Sequence, residues 1–198
     1  MTFCDISHAL HVLQLIKDTS QFMLPVCRPP LIDQSLPSTI CSADEKAKGP
    51  KSRTQEEVTM KITAQSAGGV ADEDDQVLEA GFCEGTDGSG LAVIFQRDLL
   101  VDGPWDGDRR TDDYFSNSYC VTLGSGETVY GGLEQVAFSG NRGTFDFADP
   151  MAGILGIGPQ VIVDFEVSQQ DLQLFQETLK KIVTWGVPSQ IPRLNGFS

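Results

Sequence analysis

The side chains best suited to chemistry are five carboxylates in a segment without an apolar period, residues 99–115. They are Asp102, Asp106, Asp108, Asp112 and Asp113. Carboxylate oxygens are the ligands that Ca²⁺ and Mg²⁺ prefer in proteins. The EF-hand order of three alternating acidic residues, a glycine and a distant glutamate is not present, because only Asp106 and Asp108 follow it. The spacing therefore predicts no specific metal site, and we expect these carboxylates to be solvated.

Conventional catalytic groups are scarce. The two histidines, His8 and His11, both lie among the first 59 residues, so the rest of the chain has no imidazole to act as a base near neutral pH. The sequence also contains no Gly-x-Ser-x-Gly elbow, phosphate-binding loop or dinucleotide fingerprint. It therefore predicts a protein that is not an enzyme and that uses no cofactor.

The same segment has features of a protein interface. Trp105 stands between Pro104 and Asp106, and Arg109 and Arg110 follow closely. Aromatic and arginine side chains often anchor interfaces. The alternative is that Trp105 folds back over a sheet edge. If the chain binds a basic protein, the predicted contact residues are Trp105, Asp106, Asp108, Asp112 and Asp113.

The charge balance favours a basic partner. The chain has 14 Lys and Arg against 28 Asp and Glu, a net charge of −14. Residues 72–113 alone hold 13 acidic and 3 basic side chains. A field of this sign repels nucleic acid and anionic membranes, and it speeds the approach of a cationic protein. The alternative function of this charge is simply to keep the surface soluble.

We call residues 99–115 the acidic segment. The elements that must position it are predicted to be short strands and a final helix. Alternating apolar residues predict strands at residues 60–64, 77–83, 91–97, 119–123, 133–138, 144–147 and 161–165. We expect the first strand to end in a loop at residues 67–69. Asp149 and Pro150 predict the cap and first position of a short helix, and Ser168 predicts the cap of the last one. The fold class is α+β, an antiparallel β-sheet with a C-terminal helix packed on it, over residues 60–186.

Both ends of the chain are expected to lie outside this domain. Residues 1–59 are rich in proline and polar residues and predict a disordered leader, or an upstream extension if Met60 is the native start. Residues 187–198 are predicted to be a loose tail. The five cysteines form no Cys-x-x-Cys pair, and no apolar run is long enough to span a membrane. These features indicate a cytoplasmic protein.

A central hairpin carries the most specific pattern in the chain. It begins at Tyr119, turns at residues 124–126, and continues through Tyr130, Gly131 and Gly132. This arrangement resembles the Immunity protein 10 family of bacterial polymorphic toxin systems, and the resemblance extends over about residues 60–185. It implies a small cytosolic protein that is encoded beside a toxin gene and neutralises that toxin. It also implies that the four named residues are mainly structural.

Two functional hypotheses follow. The first is an immunity protein that blocks a cognate toxin by forming a stoichiometric complex. The alternative is a small ligand- or cation-binding regulatory domain without catalytic activity. Calcium-dependent thermal stabilisation would favour the alternative.

Overall fold

The computed structural model describes residues 59–74, 76–99 and 118–197, so the predicted leader lies almost entirely outside it. The described strands are β1 Thr59–Ala64, β2 Ser66–Asp72, β3 Val77–Cys83, β4 Ala92–Asp98, β5 Cys120–Leu123, β6 Thr128–Tyr130, β7 Leu133–Ser139, β8 Arg142–Phe147, β9 Gln160–Phe165 and β10 Arg193–Asn195. The helices are α1 Asp149–Leu155 and α2 Gln169–Val183, and a short 3-10 turn covers Pro188–Gln190.

The predicted α+β class is confirmed, but the strands form two sheets rather than one. Sheet A has the order β1-β9-β8-β7-β10, and sheet B has the order β2-β3-β4-β5-β6. Sheet B is antiparallel throughout, whereas β1 runs parallel to β9 and β10 runs parallel to β7 in sheet A. The chain passes between the sheets at Gln65, whose N–H donates to the Cys83 carbonyl of sheet B.

Phenylalanine rings fill the space between the two sheets. Phe82 of β3 lies 5.7 Å from Phe165 of β9, and Phe95 of β4 lies 5.8 Å from Phe145 of β8, measured between ring centroids. Phe175 of α2 lies 5.8 Å from Phe82, edge to face. Such tilted and offset arrangements suit the ring quadrupole. The alternation that predicts each strand therefore points its aromatic face into one shared core.

The predicted loop at residues 67–69 is wrong, because these residues continue β2. Their glycines lower strand propensity, but Gly69 is needed for packing. A Cβ at Gly69 would collide with the side chain of Thr178 on α2. The missing side chain therefore lets the helix approach the sheet closely.

Helix boundaries follow the sequence signals with one exception. The Ser168 hydroxyl accepts the Asp171 N–H, which confirms the cap of α2. Asp149 does not cap α1: Ala148 occupies that position, and Asp149 and Pro150 fill the first two helical positions. The fixed φ of Pro150 suits the first turn of a helix, and the positive end of the helix dipole stabilises the carboxylate of Asp149.

The tail is ordered by the sheet, contrary to the prediction for residues 187–198. Strand β10 extends sheet A, with Leu194 opposite Val136 of β7. Phe197 then packs edge to face on Phe138, with centroids 5.0 Å apart. An apolar residue near the end of the chain thus finds core surface that the local sequence does not reveal.

Candidate functional site

The predicted contact residues lie in a segment whose two ends are fixed on neighbouring strands. Trp105, Asp106, Asp108, Asp112 and Asp113 fall outside the described residues, so their role as contacts stays a prediction. The chain leaves the described region after Leu99, just beyond β4, and returns at Ser118, just before β5. Because Gln96 of β4 pairs with Cys120 of β5, both ends of the acidic segment start from the same end of sheet B.

Two buried carboxylates mark that end of the sheet. Glu79 is 3% exposed and Asp98 is 5% exposed, and both lie on the sheet B face that points away from the phenylalanine core. The Gln96 amide donates to the Glu79 carboxylate over 2.6 Å. Neither carboxylate is without a partner. Sequence alternation places both residues on an outer face, but alternation alone cannot show that this face is buried.

Cys120 completes this polar cluster on the outer face. Its Sγ lies 3.5 Å from the Gln96 amide oxygen and can donate to it. Burial raises the pKa of the Cys120 thiol to about 12, and the nearby Glu79 charge acts in the same direction. The thiol is therefore protonated at neutral pH and is a poor nucleophile. The cluster joins β3, β4 and β5 at the end of sheet B from which the acidic segment departs.

Arg97 stabilises the same region from the opposite face. Its guanidinium lies 5.5 Å from the centroid of the Trp185 ring, which is a cation–π contact between β4 and the residue just beyond α2. The Arg97 Nη1 also donates to the Asp98 carbonyl at 3.2 Å. The end of α2 is thereby attached beside the origin of the acidic segment. Sequence spacing gives no signal for this pair, because the two residues lie far apart in the chain.

Tyr119 joins three separate parts of the fold. Its side chain is fully buried, and the phenol accepts the Leu133 N–H at 3.2 Å and donates to the Gln190 carbonyl at 3.3 Å. Its own carbonyl accepts the Gly131 N–H at 2.7 Å. Burial raises the pKa of the phenol above its usual value. Tyr119 therefore holds the start of β7 and the 3-10 turn against the start of β5.

Gly131 and Gly132 form the link from sheet B to sheet A. Both have positive φ, at 66° and 90°, which L side chains rarely adopt. A Cβ at Gly132 would lie 2.5 Å from Cγ of Met151 on α1. Tyr130, which precedes the link, pairs with Cys120 across β5 and β6. A register shift between Leu133 and Gln135 of β7, which is a β-bulge or irregularity, follows this link.

The described ranges contain no group of three or more His, Cys, Asp or Glu side chains that could hold a metal ion. Within the same ranges, neither helix is long and apolar enough to cross a membrane. We call strands β4 and β5, with the Glu79–Gln96 and Arg97–Trp185 contacts that hold β4 from its two faces, the platform of the acidic segment.

Comparison with known protein families supplies an independent finding. The model of the family described as Immunity protein 10 matches residues 63–173, which is more than half of the 198-residue chain. This span contains the acidic segment and the Tyr119–Gly132 hairpin, and it ends inside α2. The resemblance predicted from the hairpin is thereby confirmed. No curated protein and no solved structure matches the chain.

Proposed function

We propose, from the premise that the chain belongs to the Immunity protein 10 family, that it neutralises one cognate toxin of a bacterial polymorphic toxin system. Neutralisation occurs in the cytoplasm through a tight stoichiometric complex, without turnover and without a cofactor. The observation that supports this proposal is that an acid-rich segment lies in the chain between the paired strands β4 and β5 of sheet B. The contact residues remain Trp105, Asp106, Asp108, Asp112 and Asp113.

The charge of the surrounding structure supports a basic partner. Residues 118–179 contain eight Asp and Glu but a single basic residue, Arg142. The guanidinium of Arg142 already makes two hydrogen bonds to Asp164, at 2.7 and 3.0 Å. A cationic toxin approaching this part of the molecule therefore meets little positive charge. Such a field raises the association rate and makes it sensitive to salt.

The platform supports tight binding by a different physical route. Association loses less conformational entropy when the ends of a binding segment are already fixed. Here the two ends start from the adjacent strands β4 and β5, and the Glu79–Gln96 hydrogen bond and the Arg97–Trp185 contact hold β4 from its two faces. An aromatic anchor such as Trp105 can then exclude water from the ion pairs around it.

The test uses the purified product of the adjacent upstream gene as the probe. Association rates are measured at low and physiological salt for the full chain and for the double variant Asp106→Asn, Asp108→Asn. We expect the double variant to associate about tenfold more slowly at low salt and to lose part of the salt dependence.

The control for this test removes the same charge elsewhere. The double variant Glu166→Gln, Glu177→Gln neutralises two exposed carboxylates beyond the acidic segment. It should associate at nearly the wild-type rate. Equal slowing by both double variants would assign the effect to net charge alone and remove the role of Asp106 and Asp108. Thermal stabilisation by calcium without toxin binding would favour the cation-binding alternative.

A further inference from the structure

Helix α1 buries one apolar face and carries a second apolar surface that is exposed. Ala152 and Leu155 are each 2% exposed, whereas Ile154 is 58% exposed, the highest value among the large hydrophobic side chains that the structure describes. Pro150 and Gly153 are exposed beside it at helical spacing. We call Pro150, Gly153 and Ile154 the α1 ridge.

Folding does not account for two residues of the α1 ridge. Glycine is the least favourable residue in a helix interior apart from proline, yet a Cβ at Gly153 would meet nothing within 4 Å. Alanine would therefore fit there and favour the helix. Ile154 is β-branched, which also lowers helix propensity, and most of its side chain contacts solvent. Residues that weaken local structure without a packing reason often serve function.

The link Gly131–Gly132 connects helix α1 to the point where the acidic segment returns to the sheet. A Cβ at Gly131 would lie 3.2 Å from the Ser118 hydroxyl, and Gly132 packs against Met151 of α1. Ser118 is the first described residue after the acidic segment. One partner could therefore contact the acidic segment and α1 together.

The part of the chain that contains α1 is acidic, which identifies the kind of partner. Asp149 is exposed at the start of α1, and Glu134 is exposed two residues after Gly132. No Lys or Arg occurs between residues 143 and 179. A second copy of this chain is a poor occupant, because it would bring two acidic surfaces of molecules with net charge −14 together.

We propose that the α1 ridge receives an apolar projection of the cognate toxin, which is bordered by basic side chains that pair with Asp149 and Glu134. This inference rests on the proposed function and adds a second contact surface to the acidic segment. Gly153 gives the toxin backbone room to approach, and Ile154 is the apolar anchor.

The experiment measures binding of the full chain to the purified product of the adjacent upstream gene by calorimetry. Ile154→Arg should weaken binding at least tenfold, because it replaces the apolar anchor with a cation that faces the basic side chains of the toxin. Gly153→Ala should also weaken binding while raising the unfolding temperature, an outcome that a structural role would not give. The matched control is Leu174→Arg, since Leu174 is an exposed leucine on α2 at 38%.

The outcomes separate this inference from the proposed function. Loss of affinity in Ile154→Arg but not in Leu174→Arg, with both variants folded by circular dichroism, supports the α1 ridge. Wild-type affinity in Ile154→Arg and Gly153→Ala overturns it and leaves the proposed function intact. No binding by the wild-type chain overturns both. A dimer that Ile154→Arg dissociates would assign the α1 ridge to self-association instead.

Discussion

The hydroxyl group of Tyr119 offers a sharp test of how the platform is held together. Tyr119→Phe removes the hydrogen bond to the Gln190 carbonyl, a loss of about 1 kcal/mol. It also leaves the Leu133 N–H without its acceptor in a buried position, which costs about 1–3 kcal/mol. We therefore expect the free energy of unfolding to fall by about 2–4 kcal/mol.

The assay is urea unfolding of the full chain, followed by far-ultraviolet circular dichroism. The control is Thr122→Val, because it deletes a hydroxyl that is hydrogen-bonded to Thr128 at the surface, where water can replace it. The control should change stability by no more than about 0.5 kcal/mol. If Tyr119→Phe lowers the free energy of unfolding by less than about 1 kcal/mol at an unchanged denaturant slope, the hydrogen bonds of the phenol do not hold these elements together.

Alkaline pH gives the same variant a second signature. Burial raises the folded-state pKa of Tyr119 above its usual value of about 10, so the folded protein keeps a proton that the unfolded chain releases. The stability contributed by the neutral phenol is therefore complete below about pH 10 and is lost as pH rises further. Tyr119→Phe should lack this part of the alkaline decline. An unchanged alkaline decline would show that the phenol is not buried as described.

Three further predictions concern the phenylalanine core, the cap of α2 and the buried thiol of Cys120. Phe82→Ala should lower the free energy of unfolding by about 3–5 kcal/mol in urea, because Phe82 contacts rings from both sheets and α2, and a loss below about 1 kcal/mol would contradict that packing. Ser168→Ala should lower the free energy of unfolding in urea by about 1 kcal/mol, since it removes the acceptor for the Asp171 N–H, whereas Ser168→Thr keeps the hydroxyl and should retain most of that stability. Burial raises the folded-state pKa of the Cys120 thiol to about 12, so the wild-type protein loses stability between about pH 9 and about pH 12. This loss of stability should be smaller in Cys120→Ala. An identical loss in both proteins, measured by unfolding at several pH values, would exclude Cys120 as a contributor.

Local sequence signals predicted most of the fold. Alternation placed Val161, Val163 and Phe165 on one face of a strand, and all three are buried there. Ser168 predicted the start of α2, because its side chain can cap a helix. Gly156 ends α1 with a φ of 68°, as a glycine at a helix terminus does. These features depend on neighbouring residues only.

Features that depend on distant contacts could not be predicted in the same way. Strand β2 contains adjacent glycines, and only the approach of Thr178 explains why they are extended. Strand β10 exists because β7 offers an edge and Phe138 offers core surface to Phe197. The parallel pairing of β1 with β9 joins residues about a hundred positions apart, beyond any local pattern.

The candidate site was predictable in composition and not in geometry. The sequence shows the acidic segment and its tryptophan, but not that its ends start from adjacent strands. Alternation could not reveal that Glu79 and Asp98 are buried, because it distinguishes two faces without showing which is covered. The exposed position of Ile154 is equally invisible in sequence, where it reads as one more apolar residue of α1.

The function proposed for this chain is neutralisation of a toxin by direct binding. The most direct measurement is co-expression of the full chain with the product of the adjacent upstream gene, scored by growth and by co-purification. We expect the neighbour alone to arrest growth, this chain to restore growth, and the two proteins to purify together in a fixed ratio. A neighbour that is not toxic, or growth rescue without a complex, would contradict this function.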